Sequence, residues 1–367
     1  MYHIYLEAIL VASLELFLLD QRTNSTVIAL ARRGADTAIE HLPVDATFAA
    51  LGNFGRNLGR AVSGNAQRPS AVDLAQFGTD LFSFLFRGSL KTLYDRLPIG
   101  AISLQILSDQ PGIKEIPWEY LALPDRQPSP HRERSVIRVQ PTCGIYGAGP
   151  KKFGKKVNVL FVSADPVDQA GVAWEDVVAT INRAFVAQMP NEVSIKVIAG
   201  ATRKGLLDAI IRENFDVFHF FGHGSLKNNI GNLVLEDITT GTSDFLSASD
   251  LAVALGGKGV QLAILSACLS GAGKHSDDFG VIATALIRAG IPAVVANQYP
   301  MPYKSISPFV GSIYASLARD GDIDLAVAEG RIALSIMLGA TTGTGAVVEW
   351  GIPTLYRLAD TRQLFMS

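Results

Sequence analysis

Cysteine is nearly absent: Cys143 and Cys268 are the two in 367 residues. That excludes a secreted disulfide framework and a cysteine-built zinc site, and it fits a reducing, cytoplasmic setting in which a thiol stays free. An excess of one charge is lacking as well. Lys and Arg number 32 against 34 Asp and Glu, a net charge of −2, so no general field gathers nucleic acid or anionic lipid. Neither partner is expected. The one basic cluster (Lys151, Lys152, Lys155, Lys156) is interleaved with Gly149, Pro150 and Gly154, the pattern of a solvated linker. No segment is long and charge-free enough to span a membrane. The apolar opening, Tyr2 to Leu19, contains Glu7 and Glu15 and lacks a basic n-region and a small-residue cleavage site, so it is not read as a signal peptide. There is no internal repeat, and no G-x-S-x-G elbow or glycine-rich phosphate loop follows a strand. No metal or other cofactor is expected.

What remains is an apolar globular composition, 48% hydrophobic and 18% charged, which argues against extended disorder. Early in the chain, Leu6 to Leu19 and Thr26 to Ala31 read as strands around a Gln21 to Ser25 turn, with helix an open alternative for the first. Leu74, Phe77, Leu81 and Leu85 repeat at helical spacing behind a Ser70 cap, predicting one or two helices over 70–97. Strands are expected over Ala101 to Leu107 and Ser135 to Val139. From Val157 the rhythm changes to short continuous apolar runs separated by helical stretches, the signature of parallel strands with crossovers. Five strands are predicted: 157–162, 194–198, 215–221, 260–266 and 291–297. The expected division is an N-terminal region over 1–148, with 1–70 unassigned, and an α/β body over 149–367.

Reactive groups of open parallel sheets collect beyond the carboxyl ends of strands. Two predicted strands end in unusual residues. The run Phe215 to Phe221 stops at Gly222-His223-Gly224, and Gln261 to Ala267 stops at Cys268. One tip offers an imidazole and the other a thiol. The glycines beside His223 are expected to turn the chain sharply. A thiol needs a base to raise its thiolate fraction at neutral pH, and His223 supplies one. The backbone N–H groups of Gly224 and Cys268 are candidate oxyanion donors. No Asp or Asn stands out as an orienter of His223. Taken singly, each residue also has a plain structural reading: His223 as a turn residue, Cys268 as a small buried hydrophobe. His219 reads as a hydrogen-bonded core histidine, His275 as a weaker rival base, Cys143 as inert and Trp118 as a packing anchor.

The strand ends Phe218-His219-Phe220-Phe221-Gly222-His223-Gly224 and Leu265-Ser266-Ala267-Cys268-Leu269-Ser270-Gly271 carry a resemblance. So do Leu233 to Asp237, Ala289 to Gln298 and Trp350 to Tyr356, and, earlier, Phe86-Arg87-Gly88, Ile116-Pro117-Trp118-Glu119 and Val136-Ile137-Arg138. From about Ser70 onward the sequence resembles the CHAT domains, caspase-like peptidases related to separase and caspases. The resemblance implies an α/β fold with a caspase-like, mostly parallel sheet flanked by helices on both faces and an N-terminal α+β extension. It extends the family likeness to 70–148, implies a catalytic body over 149–367, and makes His223 and Cys268 the dyad of a thiol protease. Members often serve bacterial antiviral defence and cell death, including CRISPR-associated immunity, so a protein substrate and an activating sensor in trans are expected. The competing expectation is a catalytically silent CHAT-like scaffold.

For substrate choice, Glu236, Asp237, Asp277 and Asp278 lie in segments able to reach the pocket beside Cys268, where a carboxylate favours Arg or Lys. Asn297-Gln298-Tyr299 is expected to line the groove as a strand edge that pairs with extended peptide. Leu269 to Asp278, rich in glycine, is the expected switch loop.

Overall fold

The computed structural model describes residues 14–20, 26–33, 35–96, 102–106, 112, 113, 115–122, 130, 132, 136–140, 151, 152, 157–169, 171–188, 193–228, 230–267, 278–339, 347–358 and 361–366. Strands β1 (Leu14–Asp20), β2 (Thr26–Arg33) and β3 (Asp36–Pro43) are followed by helices α1 (Ala46–Val62), α2 (Ala71–Leu85) and α3 (Gly88–Asp95). Then come β4 (Ile102–Ile106), a 3₁₀ turn at Trp118–Tyr120, β5 (Val136–Gln140) and the two-residue β6 (Lys151–Lys152). The predicted alternation follows: β7 (Val157–Ser163), α4 (Glu175–Gln188), β8 (Val193–Ile198), α5 (Arg203–Arg212) and β9 (Val217–Lys227). A hairpin adds β10 (Ile230–Glu236) and β11 (Ser243–Ser247), and α6 (Ala248–Leu255) leads to β12 (Leu262–Ala267). The chain ends with α7 (Asp278–Arg288), β13 (Ala293–Asn297), α8 (Tyr303–Asp320), α9 (Ile323–Gly339), a 3₁₀ turn at Glu349–Gly351, β14 (Pro353–Leu358) and β15 (Phe365–Met366).

Among the described residues thirteen strands join in one sheet. The neighbours β8, β7, β9, β12 and β13 all run parallel, as expected for crossover units. β14 turns back antiparallel to β13, then β5, β4 and β1 run parallel to β14, and β2 and β3 close the far edge as an antiparallel meander. Helices cover both faces because the central strands are apolar on both. On β9, Val217 and Phe221 join one buried cluster with α4, α8 and α9, while Phe218 and Phe220 join the other with α5, α6 and α7.

Local signals explain the helix starts. Ser70 Oγ accepts from Asp73 N–H at 3.1 Å and Ser70 N–H donates back to the Asp73 carboxylate at 2.9 Å, a capping box at the predicted cap. Behind it Leu74, Phe77, Leu81 and Leu85 are buried, and Phe77 stacks on Phe54 of α1 at 4.1 Å between centroids. In the basic cluster, the backbone of Lys151 and Lys152 pairs parallel with Phe365 and Met366, and Lys155 and Lys156 lie outside the described residues.

Candidate active site

His223 does not stand at a turn. β9 runs on through Gly222, His223 and Gly224 to Lys227 and pairs with β10, Gly224 opposite Leu233 and His223 opposite Val234. None of the three residues has a positive φ. The flanking glycines are there for closeness: a Cβ on Gly222 would lie 2.9 Å from Phe220 Cζ and 3.1 Å from the Ala164 carbonyl oxygen, and one on Gly224 would lie 2.9 Å from the Phe279 ring. The expectation of a sharp turn is therefore replaced by tight packing against one face of the sheet, the face covered by α5, α6 and α7.

The parallel ladder between β9 and β12 ends at Gly222 opposite Ala267. Beyond that pair β9 continues along β10, and His223 is buried, 8% exposed. Cys268, the residue after Ala267, lies outside the described residues, as do Cys143, His275 and Asp277. The predicted switch loop also lies outside them except for Asp278, the first residue of α7, whose side chain is not described.

Below His223 on the same face of β9, His219 is wholly buried. Its Nδ1 is 3.1 Å from the Tyr314 hydroxyl and its Nε2 is 3.2 Å from Ser266 Oγ. The ring lies near-parallel to Tyr314, 5.9 Å between centroids, and tilts against Phe161 at 5.0 Å. Burial pushes the imidazole pKa down to about 3 and pushes the Tyr314 hydroxyl above its usual value. His219 is the core histidine its position within the strand predicts.

The pocket candidates separate. Asp237 Oδ1 accepts from Thr240 N–H at 2.8 Å and Thr239 N–H at 2.9 Å, bonds that hold its carboxyl below the usual range and fix the turn between β10 and β11. Glu236 Oε1 accepts from Asp165 N–H at 2.8 Å, anchoring the loop after β7. Asn297 is buried at the end of β13, opposite Pro353 of β14. Gln298 N–H donates to the Ile352 carbonyl at 3.0 Å, so β14 covers this side of β13, while β12 pairs with its other side. At 297–298 the edge facing β14 is therefore taken, and on the other side the described ladder with β12 reaches Ala296 opposite Leu265.

Gln298 instead joins a buried polar seam that the sequence did not reveal. Its Nε2 donates to Glu119 Oε2 at 2.8 Å and to the Gly351 carbonyl at 2.6 Å. Its Oε1 accepts from Arg138 Nη2 at 3.2 Å. Arg138 also forks onto Glu119 through Nε and Nη2, both at 3.1 Å, and Arg331 donates to the carbonyls of Pro353 and Val136. Burial alone would raise the Glu119 pKa; the charges of Arg138 and Arg331 override it and bring the net shift below the usual carboxylate value. The available signal was Arg138 inside the apolar run Val136-Ile137-Arg138-Val139, a charge where a central strand demands a partner. Among the described residues no cluster of three or more His, Cys, Asp or Glu is placed to hold a metal, and no helix is long and apolar enough to cross a membrane.

Solved structures place this architecture. The separase of Saccharomyces cerevisiae, in its complex with securin, aligns over 95% of this chain and 30% of its own at 11% identity, with a TM-score of 0.53. This chain therefore spans under a third of that separase chain. Gingipain R, an Arg-specific cysteine proteinase, aligns over 86% of this chain and 75% of its own at 15% identity and a TM-score of 0.48. The complex of Porphyromonas gingivalis RgpB pro- and mature domains gives 86%, 77%, 14% and 0.46 in the same terms. No curated protein matches the chain. The likeness to separase is one of fold, a caspase-like α/β sheet. At the level of sequence, the pattern of one family, the CHAT domain, matches residues 76–337, a range that holds most of α2, the side chains of the seam and the ends of β9 and β12, so the chain belongs to the CHAT domain family.

Proposed function

We propose that this chain is a cysteine endopeptidase, with Cys268 as nucleophile and His223 as base. The observation that carries the reading is the register of β9 and β12. Ala267 pairs with Gly222, and in the sequence the residue that follows Ala267 is the thiol while the one that follows Gly222 is the imidazole. Period-two alternation supports a common face: Leu262 and Ile264 share the cluster of Val217 and Phe221, Ser266 meets His219, and the same alternation carried one step past β12 would give Cys268 the side of His223.

In this reading His223 takes the Cys268 proton, and the thiolate adds to the scissile carbonyl carbon as its π electrons move to oxygen. Backbone N–H groups of Gly224 and Cys268 receive the oxyanion, each such donor worth about 10² to 10³ in rate. Collapse breaks the C–N bond while the imidazolium protonates the leaving amine, leaving a thioester. Water then adds with His223 as base, the C–S bond breaks, and the proton returns to sulfur. The substrate is a protein. With Asp237 occupied by its turn, a preference for Arg or Lys rests on the second oxygen of Glu236 and on Asp277 and Asp278. Membership of the CHAT family supports an effector role in bacterial defence or cell death, triggered by a partner protein.

The test is incubation of wild type and Cys268→Ala with candidate partner and substrate proteins, followed by mass spectrometry for new termini. New termini with wild type alone are expected. Iodoacetamide labelling gives a second measurement: Cys268 alkylates well before Cys143. Equal rates and no cleavage would replace this reading with that of a silent scaffold.

A further inference from the structure

Glu349 opens the short 3₁₀ turn before β14, and its side chain is wholly buried. Its Oε1 accepts from Arg68 Nη1 at 2.7 Å, while its Oε2, also buried, has no hydrogen-bond partner among the described residues. Arg68 belongs to the link between α1 and α2, and its side chain is 35% exposed. Among the described residues this partly solvated guanidinium is the one cation bonded to a carboxylate in the core. Such a pair is asymmetric. Arg68 loses little by moving into water, but a Glu349 left behind keeps neither water nor a counter-charge.

The carboxylate cannot follow Arg68 outward by itself, because the backbone that carries it is held by distant side chains. The Val348 carbonyl accepts from the Tyr120 hydroxyl, the Gly351 carbonyl from Gln298 Nε2 at 2.6 Å, and the Ile352 carbonyl from Gln298 N–H at 3.0 Å. For Glu349 to reach water, the turn at 349–351 must shift, and that shift breaks both bonds to Gln298, the residue that follows β13. We propose that Arg68 and Glu349 form a latch through which the link between α1 and α2 governs the order of the carboxyl end of β13. With Arg68 seated, the turn and the strand end are pinned together. With Arg68 drawn off they open together, while the pairing of β13 with β12 over Ala293 to Ala296 persists. The latch stands apart from the peptidase reading. Within that reading, it gives a partner protein that draws off Arg68 a route to the end of β13.

The experiment is amide hydrogen exchange of the full chain at constant pH, read by peptide mass spectrometry. Arg68→Met is expected to speed exchange by about ten- to a hundredfold in peptides covering 297–299 and 349–352, and to leave β7 and β9 unchanged. Arg68→Met combined with Glu349→Leu removes the stranded charge and returns exchange at 297–299 to the wild-type rate. Arg68→Lys keeps a cation beside the carboxylate and gives the same pattern at a few-fold, which carries the test should Arg68→Met not fold. Faster exchange confined to 63–70 overturns the latch and makes the pair a local tether. An equal rise in every strand overturns it too, as a general loss of stability. A double variant that stays as open as Arg68→Met overturns it in a third way, because packing and not charge would then hold the turn.

Discussion

Two buried polar clusters sit in this sheet and are built on opposite terms. The seam of Glu119, Arg138, Gln298 and Arg331, between β5 and the β13–β14 pair, is charged. The cluster beneath the strand tips, Tyr314, His219 and Ser266, is neutral. A buried ion pair is strongly destabilised when one partner is removed, whereas a buried neutral network is sensitive to gaining a proton. The first fastens the N-terminal elements to the body of the sheet. The second keeps ionic charge off the face below His223.

The largest expected effect breaks the seam. Arg138→Met leaves the Glu119 carboxylate buried without its forked partner, and the expected loss is about 3–5 kcal/mol in urea unfolding. Adding Glu119→Leu to Arg138→Met recovers most of that loss, because the orphaned charge is gone. A double variant as unstable as the single one would show that packing, not charge, holds the seam.

Acid separates the two clusters by window. Folded His219 stays neutral down to about pH 3, while the unfolded chain takes up a proton near 6.5. Between these values the unfolded state holds more protons, so stability falls as pH falls, by up to about 1.4 kcal/mol per pH unit. His219→Leu removes this slope whatever it does to absolute stability. Glu119, with its pKa lowered, acts further down: its contribution is complete above the ordinary carboxylate value and is lost as pH falls through its depressed folded value. Unfolding midpoints of wild type, His219→Leu and Glu119→Gln from pH 7 downward separate the two windows.

The smallest effect calibrates both. Thr202 Oγ1 caps α5 by accepting from Gly205 N–H at 3.1 Å, away from either cluster. Thr202→Ala is expected to cost about 1 kcal/mol without altering the acid slope. A changed slope would mean that helix fraying, not His219, sets the response.

The sequence made the parallel half legible because each central strand is a short apolar run and each crossover helix is periodic. Ser70 as a cap and His219 as a core residue were readable for the same local reasons. β10, β11 and the far half of β9 were not, since Gly222-His223-Gly224-Ser225 has the composition of a turn and only the packing of Phe220 and Phe279 explains the glycines. β14 was hidden by Pro353 at its start and by Arg357, whose charge is met inside the fold by Asp324 at 2.8 Å. Spacing missed Gln298's true partners, because Glu119 is 179 positions away in the chain. No local pattern encodes a contact of that range.

β14 lies between β13 and β5. A shortened chain that starts at residue 149 would keep both strand tips, yet it would strip β5 and β4 from the sheet and leave β14 with a raw margin of unsatisfied amides and carbonyls. Such margins recruit other chains. Anyone trimming this protein for crystallisation or assay should expect clumping from the cut, and should carry along Val136–Gln140 with the strands that hem it in turn, β4 and the β1–β3 meander.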